Sequence, residues 1–177
     1  TKESSLRGIV KETAINFNKM YPIRDTSFNF VYRDQLLNIN NLQTKFADLE
    51  IFDSKIEYTN SHLHELNGDI FFNINSEGKN IKKILSWTKI NLENFVFKSL
   101  IADGSSTFNL KLDKTLAVKE TKYNVKTSVV ELRTSFKKEI NSKLFKQNIK
   151  NIHLKDSTLD VNNDNKNTIV KLKSFIK

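Results

Sequence analysis

The chain has no cysteine, one proline, one tryptophan and four glycines in 177 residues. Without cysteine there is no disulfide, no thiolate metal site and no cysteine nucleophile. The four glycines (Gly8, Gly68, Gly78 and Gly104) are dispersed, so no Gly-rich loop can cradle a phosphate. Gly104-Ser105-Ser106 lacks the flanking pattern of a nucleophilic serine elbow. No apolar run approaches the roughly 18 residues that a membrane-spanning helix needs. The chain starts at Thr1 with no signal peptide, so it is expected to be a segment of a larger protein, with any anchor outside it.

What is present is a basic, Phe-rich chain. Lys and Arg number 29 against 20 Asp and Glu, a net charge of +9, and there are 13 Phe. Such a balance favours anionic partners. The charges are not blocked, however. Lys111, Asp113 and Lys114, and later Lys119, Glu120 and Lys122, are interleaved with apolar residues, as on a solvated strand face. Arg is scarce and no basic-aromatic recognition stretch occurs, so nucleic acid is disfavoured as a partner.

One segment occurs twice. Leu49-Glu50-Ile51-Phe52-Asp53-Ser54-Lys55-Ile56-Glu57-Tyr58 and Ile152-His153-Leu154-Lys155-Asp156-Ser157-Thr158-Leu159-Asp160-Val161 share alternating apolar positions that stop at Asp-Ser and then resume. The pattern predicts a strand, a tight turn or bulge, and a second strand. Asp53 with Ser54 and Asp156 with Ser157 form the repeated turn motif, the Asp being expected to cap backbone amides. Repetition of a half-buried β unit points to an elongated β architecture rather than to a catalytic pocket.

The fold class expected is mainly β: an elongated, twisted, groove-like antiparallel sheet of short strands with one N-terminal amphipathic helix. That helix is placed over 4–20, where Leu6, Ile9, Val10, Thr13, Ala14, Phe17 and Met20 follow a 3.6-residue period up to Tyr21-Pro22. The main sheet is placed over 26–132. Asn67-Gly68 reads as a hairpin turn and Asp103-Gly104-Ser105 as another. Residues 79–88 read as a short helix or a loop, 137–150 as a linker or short helix, and 152–176 as a repeat hairpin. All belong to one β-rich unit spanning 1–177.

Three constellations invite a chemical reading. His62 and His64 share a strand face beside Glu65, a spacing that can chelate a metal, but a solvent-facing pair is preferred. Asp160-x-Asn162-x-Asp164 resembles the opening of a calcium loop. The turn position carries Asn165 instead of Gly, and the closing position carries Lys171 instead of a carboxylate, so a polar hairpin is preferred. The third is the apolar stripe at strand-alternating positions: Phe28, Phe30, Tyr32, Leu49, Ile51, Ile56, Tyr58, Ile70, Phe72, Ile74, Phe108, Leu110 and Leu112. It reads either as ordinary core or as the greasy lining of a groove. No catalytic residue, metal site or cofactor is expected.

The Asp-Ser strand pair followed by Leu63-His64-Glu65-Leu66-Asn67-Gly68-Asp69-Ile70-Phe71-Phe72 resembles the AsmA/TamB/YhdP-like envelope proteins of Gram-negative bacteria. The resemblance covers 46–74 best and 149–176 in part, where Lys171-Leu172-Lys173-Ser174-Phe175 replaces the Leu-Asn-Gly-Asp segment; Asn91 to Phe97 is similar more weakly. It implies a periplasmic β-groove, tethered to the inner membrane by a segment not present here. Such a groove would pass phospholipid or another acyl-chain ligand toward the outer membrane without catalysis. An adhesin-like β-repeat surface module and a basic nucleic-acid or ribosome-associated protein are the alternatives.

Overall fold

A computed structural model describes residues 5–15, 22–60, 64–85, 92–142 and 146–174. They form a nine-stranded antiparallel sheet in which every strand lies beside its sequence neighbours. The strands are β1 (Ser5–Ile15), β2 (Ile23–Arg33), β3 (Leu36–Phe46), β4 (Leu49–Asn60), β5 (His64–Glu77), β6 (Phe95–Leu112), β7 (Val118–Ser142), β8 (Gln147–Asn163) and β9 (Thr168–Lys173). One helix, α1 (Lys79–Leu85), follows β5.

The strands are long because the alternation runs through the positions read as turns. Asn67 and Gly68 lie inside β5, opposite Asn109 and Phe108. Asp103, Gly104 and Ser105 lie inside β6, opposite Ser128, Thr127 and Lys126. Glycine serves there as room for a ring, not as a turn former. A Cβ at Gly8 would stand 2.5 Å from the Phe30 ring, one at Gly68 would collide with the Phe108 ring, and one at Gly104 would stand 2.7 Å from the Phe72 ring. Each Phe is the direct cross-strand partner of its glycine, an aromatic laid over the backbone that glycine leaves bare.

The N-terminal helix expectation is corrected: Ser5–Ile15 is edge strand β1, paired with β2 from Ser5 opposite Arg33 to Ile15 opposite Ile23. Ile9, Val10, Thr13 and Ile15 are β-branched and Gly8 is a poor helix former. The 3.6-residue spacing arose because a bulge at Glu12 shifts an otherwise alternating pattern by one. Residues 16–20 of the expected helix lie outside the described residues. The stretch 137–150 continues as β7 to Ser142 and as β8 from Gln147. Of 79–88, Lys79–Leu85 is helical and the rest lies outside the described residues.

Bulges recur along the sheet. Glu12, Asp25, Asn41, Asp53 and Asp156 have φ between 45° and 53° inside strands, the left-handed region that Asp and Asn tolerate best among side-chain-bearing residues. The first four each add one residue to their strand relative to a neighbour, read from the register shifts. Asp156 lies across from Val130, itself the extra residue of β7 against β6, so the β7 and β8 register stays in step. Bulges of this kind increase local twist and bend the strand.

The core sits at one end of one face. Phe46, Ile74, Leu100, Ala102 and Val129 of the sheet are buried with Ile81 and Ile84 of α1. At seven residues, α1 is too short to persist alone. The Asp48 carboxylate ties it down, accepting from Ser76 Oγ at 2.8 Å and from Asn80 Nδ2 at 3.0 Å.

Candidate functional site

Cross-strand register fixes which side chains share a face, because alternate residues point the same way. One row runs through Gly8, Phe30, Ile39, Ile56, Gly68, Phe108, Tyr123, Asn163 and Thr168, crossing all nine strands. The next row outward holds Leu6, Tyr32, Leu37, Tyr58, Leu66, Leu110 and Thr121. Inward, Ile70, Ser106, Val125, Val161 and Val170 form one row, and Thr44, Ile51, Phe72, Gly104, Thr127, Leu159 and Leu172 another. Phe46, Leu49, Ile74, Ala102, Val129 and Ser157 form the row beneath α1.

All thirteen residues of the apolar stripe therefore lie on a single face. Phe28, opposite Val10 in mid-strand, and Leu112, opposite His64 at the end of β6, complete the set. They do not share one environment. Ile74 is core, and Leu49 and Phe72 pack against that core. Of the other ten, nine are intermediate between buried and exposed, and Tyr32 is 40% exposed. Sequence reasoning missed Leu6, Val10, Leu42, Leu66, Val125, Leu159, Val161, Val170 and Leu172 as members of this face. Pairing register, invisible in one strand's sequence, is what assigns them.

The Asp-Ser motif works through its hydroxyl. Ser54 is fully buried. Its Oγ donates to the Phe52 carbonyl at 2.8 Å and accepts from the Phe71 amide at 2.9 Å. Asp53, turned into the left-handed region, breaks the ladder there, and the serine completes it. Ser157 repeats the first bond, donating to the Lys155 carbonyl at 2.9 Å, and its Oγ then accepts from the Ser174 hydroxyl at 2.7 Å. Thr13 donates to the Lys11 carbonyl at 3.3 Å behind Glu12. Behind Asp25, Thr26 is buried against Thr44, their hydroxyls 2.8 Å apart. Among the described residues, the motif read twice in sequence thus occurs four times, as an acidic residue at positive φ followed by a hydroxyl. Asp53 and Asp156 are exposed, so the expected amide cap by their carboxylates is replaced by the serine bonds.

The polar constellations separate. Tyr58 Oη lies 2.7 Å from His64 Nδ1 and the two rings stack at 5.9 Å; His62 lies outside the described residues. Asp160 stands opposite Lys171 on β9. The Asp164 carboxylate accepts from the Asn167 and Lys166 amides at 2.7 and 2.9 Å, which lowers its pKa and closes a polar hairpin. Glu131 gathers His153, Arg133 and Ser99 at 3.2, 2.9 and 3.2 Å. Burial works to raise its pKa, but the bonds from His153 and Arg133 win and lower it. Among the described residues, no group of three or more such side chains has a metal-binding arrangement, and no helix is long and apolar enough to cross a membrane.

Comparisons of the chain with protein-family models, curated proteins and solved structures return no match. The two sheet faces and their chemistry are therefore the ground on which a function has to be argued.

Proposed function

We propose that this chain is a non-enzymatic, lipid-holding segment of a bacterial envelope protein, whose apolar sheet face shelters the acyl chains of phospholipid in transit between membranes. One observation carries the reading. The alternating apolar residues of nine consecutive strands fall on one face, and α1 is the one described element packed on it. An open apolar sheet is half of a sandwich and requires a second layer; large contiguous apolar surface marks an interaction site.

Acyl chains suit that layer in size and chemistry. Nine strands at about 4.8 Å spacing span about 38 Å. Half the roughly 30 Å bilayer core is about 15 Å, so one acyl chain covers about three strands. Each CH₂ removed from water contributes about 0.8 kcal/mol. The bulges add twist, which helps a sheet wrap around a chain. Lys114, exposed in the β6–β7 turn at the open end, and the net charge of +9 favour anionic headgroups. The similarity of 46–74 to AsmA-like proteins adds the periplasm as the compartment.

The test is mass spectrometry of lipid co-purifying with the protein expressed in a bacterial periplasm. Near-stoichiometric phospholipid is expected, lost in Ile56→Asp and Leu110→Asp variants that keep the wild-type β circular dichroism. A lipid-free wild type, monomeric or dimerised through the apolar face, overturns the reading, as does lipid retained by both variants.

A further inference from the structure

The opposite face carries a second, independent feature. Three concavities of about 830, 430 and 600 Å³ follow one another along it. The largest crosses β3 to β8. Its walls are side chains one residue to either side of the row containing Ile56 and Phe108, which contributes its backbone as the floor. The apolar neighbours Leu66, Leu110 and Ile70 do not line it, which places it on the polar face.

Seven asparagines line this trough, Asn163 in the floor row and Asn38, Asn40, Asn67, Asn109, Asn124 and Asn162 in the walls. Asn109 donates to Asn67 at 2.6 Å. The amides of Asn38, Asn40, Asn124 and Asn162 make no hydrogen bond among the described residues. Each amide offers two donors and two acceptor sites. One step along the strands, the second trough brings in Phe52 and Phe71, a direct cross-strand pair with ring centroids 6.4 Å apart. They are 37% and 43% exposed on a face that is otherwise mostly polar.

Charge narrows the ligand. The chain is strongly basic, yet the first trough sets Lys55 and Lys122 against Glu57, Asp69 and Asp164. The second sets Lys126 against Asp103 and Asp160. A site for phosphate or sulfate would concentrate the cations instead. Unspent amides in a trough with no excess of cations, continuing onto an exposed aromatic pair, match a ligand dense in hydroxyls with one apolar ring face.

We propose that this face binds a neutral oligosaccharide, with hydroxyls bonded by the asparagine amides and one pyranose ring laid on Phe52 and Phe71. From Asn67 to Phe71 is four residues of β5, about 14 Å, which suits a chain of about three hexose units. This site shares no side chain with the lipid-holding face, so either reading can fail without the other.

The experiment is titration of the full chain with maltotriose, cellotriose, chitotriose and a heparin trisaccharide, followed by backbone amide NMR shifts. At least one neutral trisaccharide is expected to bind and to shift β5 and β6 amides near Asn67, Phe71 and Asn109. Its affinity is expected to fall about tenfold, about 1.4 kcal/mol, in Phe71→Ala and in Asn124→Ala. Both positions are on the polar face, and unchanged circular dichroism checks the fold. No binding by any neutral trisaccharide at millimolar concentration overturns the proposal. So does binding by the heparin fragment alone, or neutral binding unaffected by both substitutions.

Discussion

The two ends of the apolar face have the same residue types and the same alternation but opposite fates. Beneath α1, Ile74, Leu100 and Val129 are buried, and Ile81 is fully inaccessible. At the outer end and the sheet edges, Leu6, Val170 and Leu172 are more than half exposed. The alternation is the same at both ends, but Leu6, Val170 and Leu172 lie on the edge strands β1 and β9, with a neighbour on one side only. On the central strands, a seven-residue helix adds Ile81 and Ile84 as a second layer. An apolar strand face is thus only a capacity for burial. A neighbour turns it into core, and without one it stays open.

The sharpest way to break this contrast is to remove the covering side chain. Ile81→Ala should cost about 2–5 kcal/mol, as other buried Ile truncations do, whereas Leu6→Ala should change stability by less than about 0.5 kcal/mol. Urea denaturation of both reads the difference, and equal costs would mean that α1 does not create the core. Second in size is Ser54→Ala, expected to cost about 1–3 kcal/mol because the Phe71 amide loses its acceptor at a fully buried serine. Ser157→Ala should cost less, since no backbone amide depends on that hydroxyl in the bonds it makes. The same denaturation curves report the ratio.

Glycine separates the central rows from the edge in the same way. Gly104→Ala drives a methyl against both the Phe72 ring and the Lys126 carbonyl, so neither side can yield freely. A cost of about 1–3 kcal/mol is expected. Gly8→Ala meets the Phe30 ring alone, on an edge strand, and should cost clearly less. Thermal melts of the two variants rank them.

The smallest effect is acid sensitivity. Asp113 is held well below the usual carboxylate range by its bonds from Thr115 Oγ1 and the Ala117 and Thr115 amides, with Lys119 alongside. Glu131 is also lowered. A carboxylate with a depressed folded-state pKa contributes stability above its unfolded pKa and loses it as pH falls through the folded value. The melting temperature should therefore be flat near neutrality and decline below about pH 4. Asp113→Asn should flatten part of that decline; an unchanged profile would show that the turn contributes nothing to it. On the basic side, Glu50 raises the pKa of Lys45 across a 2.9 Å pair, support that is lost only as pH rises past the lysine range.

Much of this was legible in the chain. The alternation through Phe28, Phe30 and Tyr32, or Phe108, Leu110 and Leu112, correctly grouped residues that share a face, because strand periodicity is local. Asp53-Ser54 and Asp156-Ser157 were legible as breaks for the same reason. Glu12-Thr13 and Asp25-Thr26 were not, since only the backbone reveals that Glu and Thr repeat the roles of Asp and Ser. The misreadings share one cause. Asn67-Gly68 and Asp103-Gly104 carry turn-forming residues, but their partners are Phe rings on neighbouring strands, distant in sequence. Leu6, Ile9 and Val10 mimic a helical period because a bulge lies just beyond them.

The sequence by itself determined that the protein is built of strands with one apolar and one polar face, and that acidic-hydroxyl pairs interrupt them, because side-chain alternation and local hydrogen bonding act over a few residues. The tertiary structure alone decided strand length, register, the placing of Phe rings over glycines, and which part of the apolar face α1 closes. Those outcomes depend on cross-strand partners and on burial by a separate element, and no stretch of one strand encodes its neighbour's position.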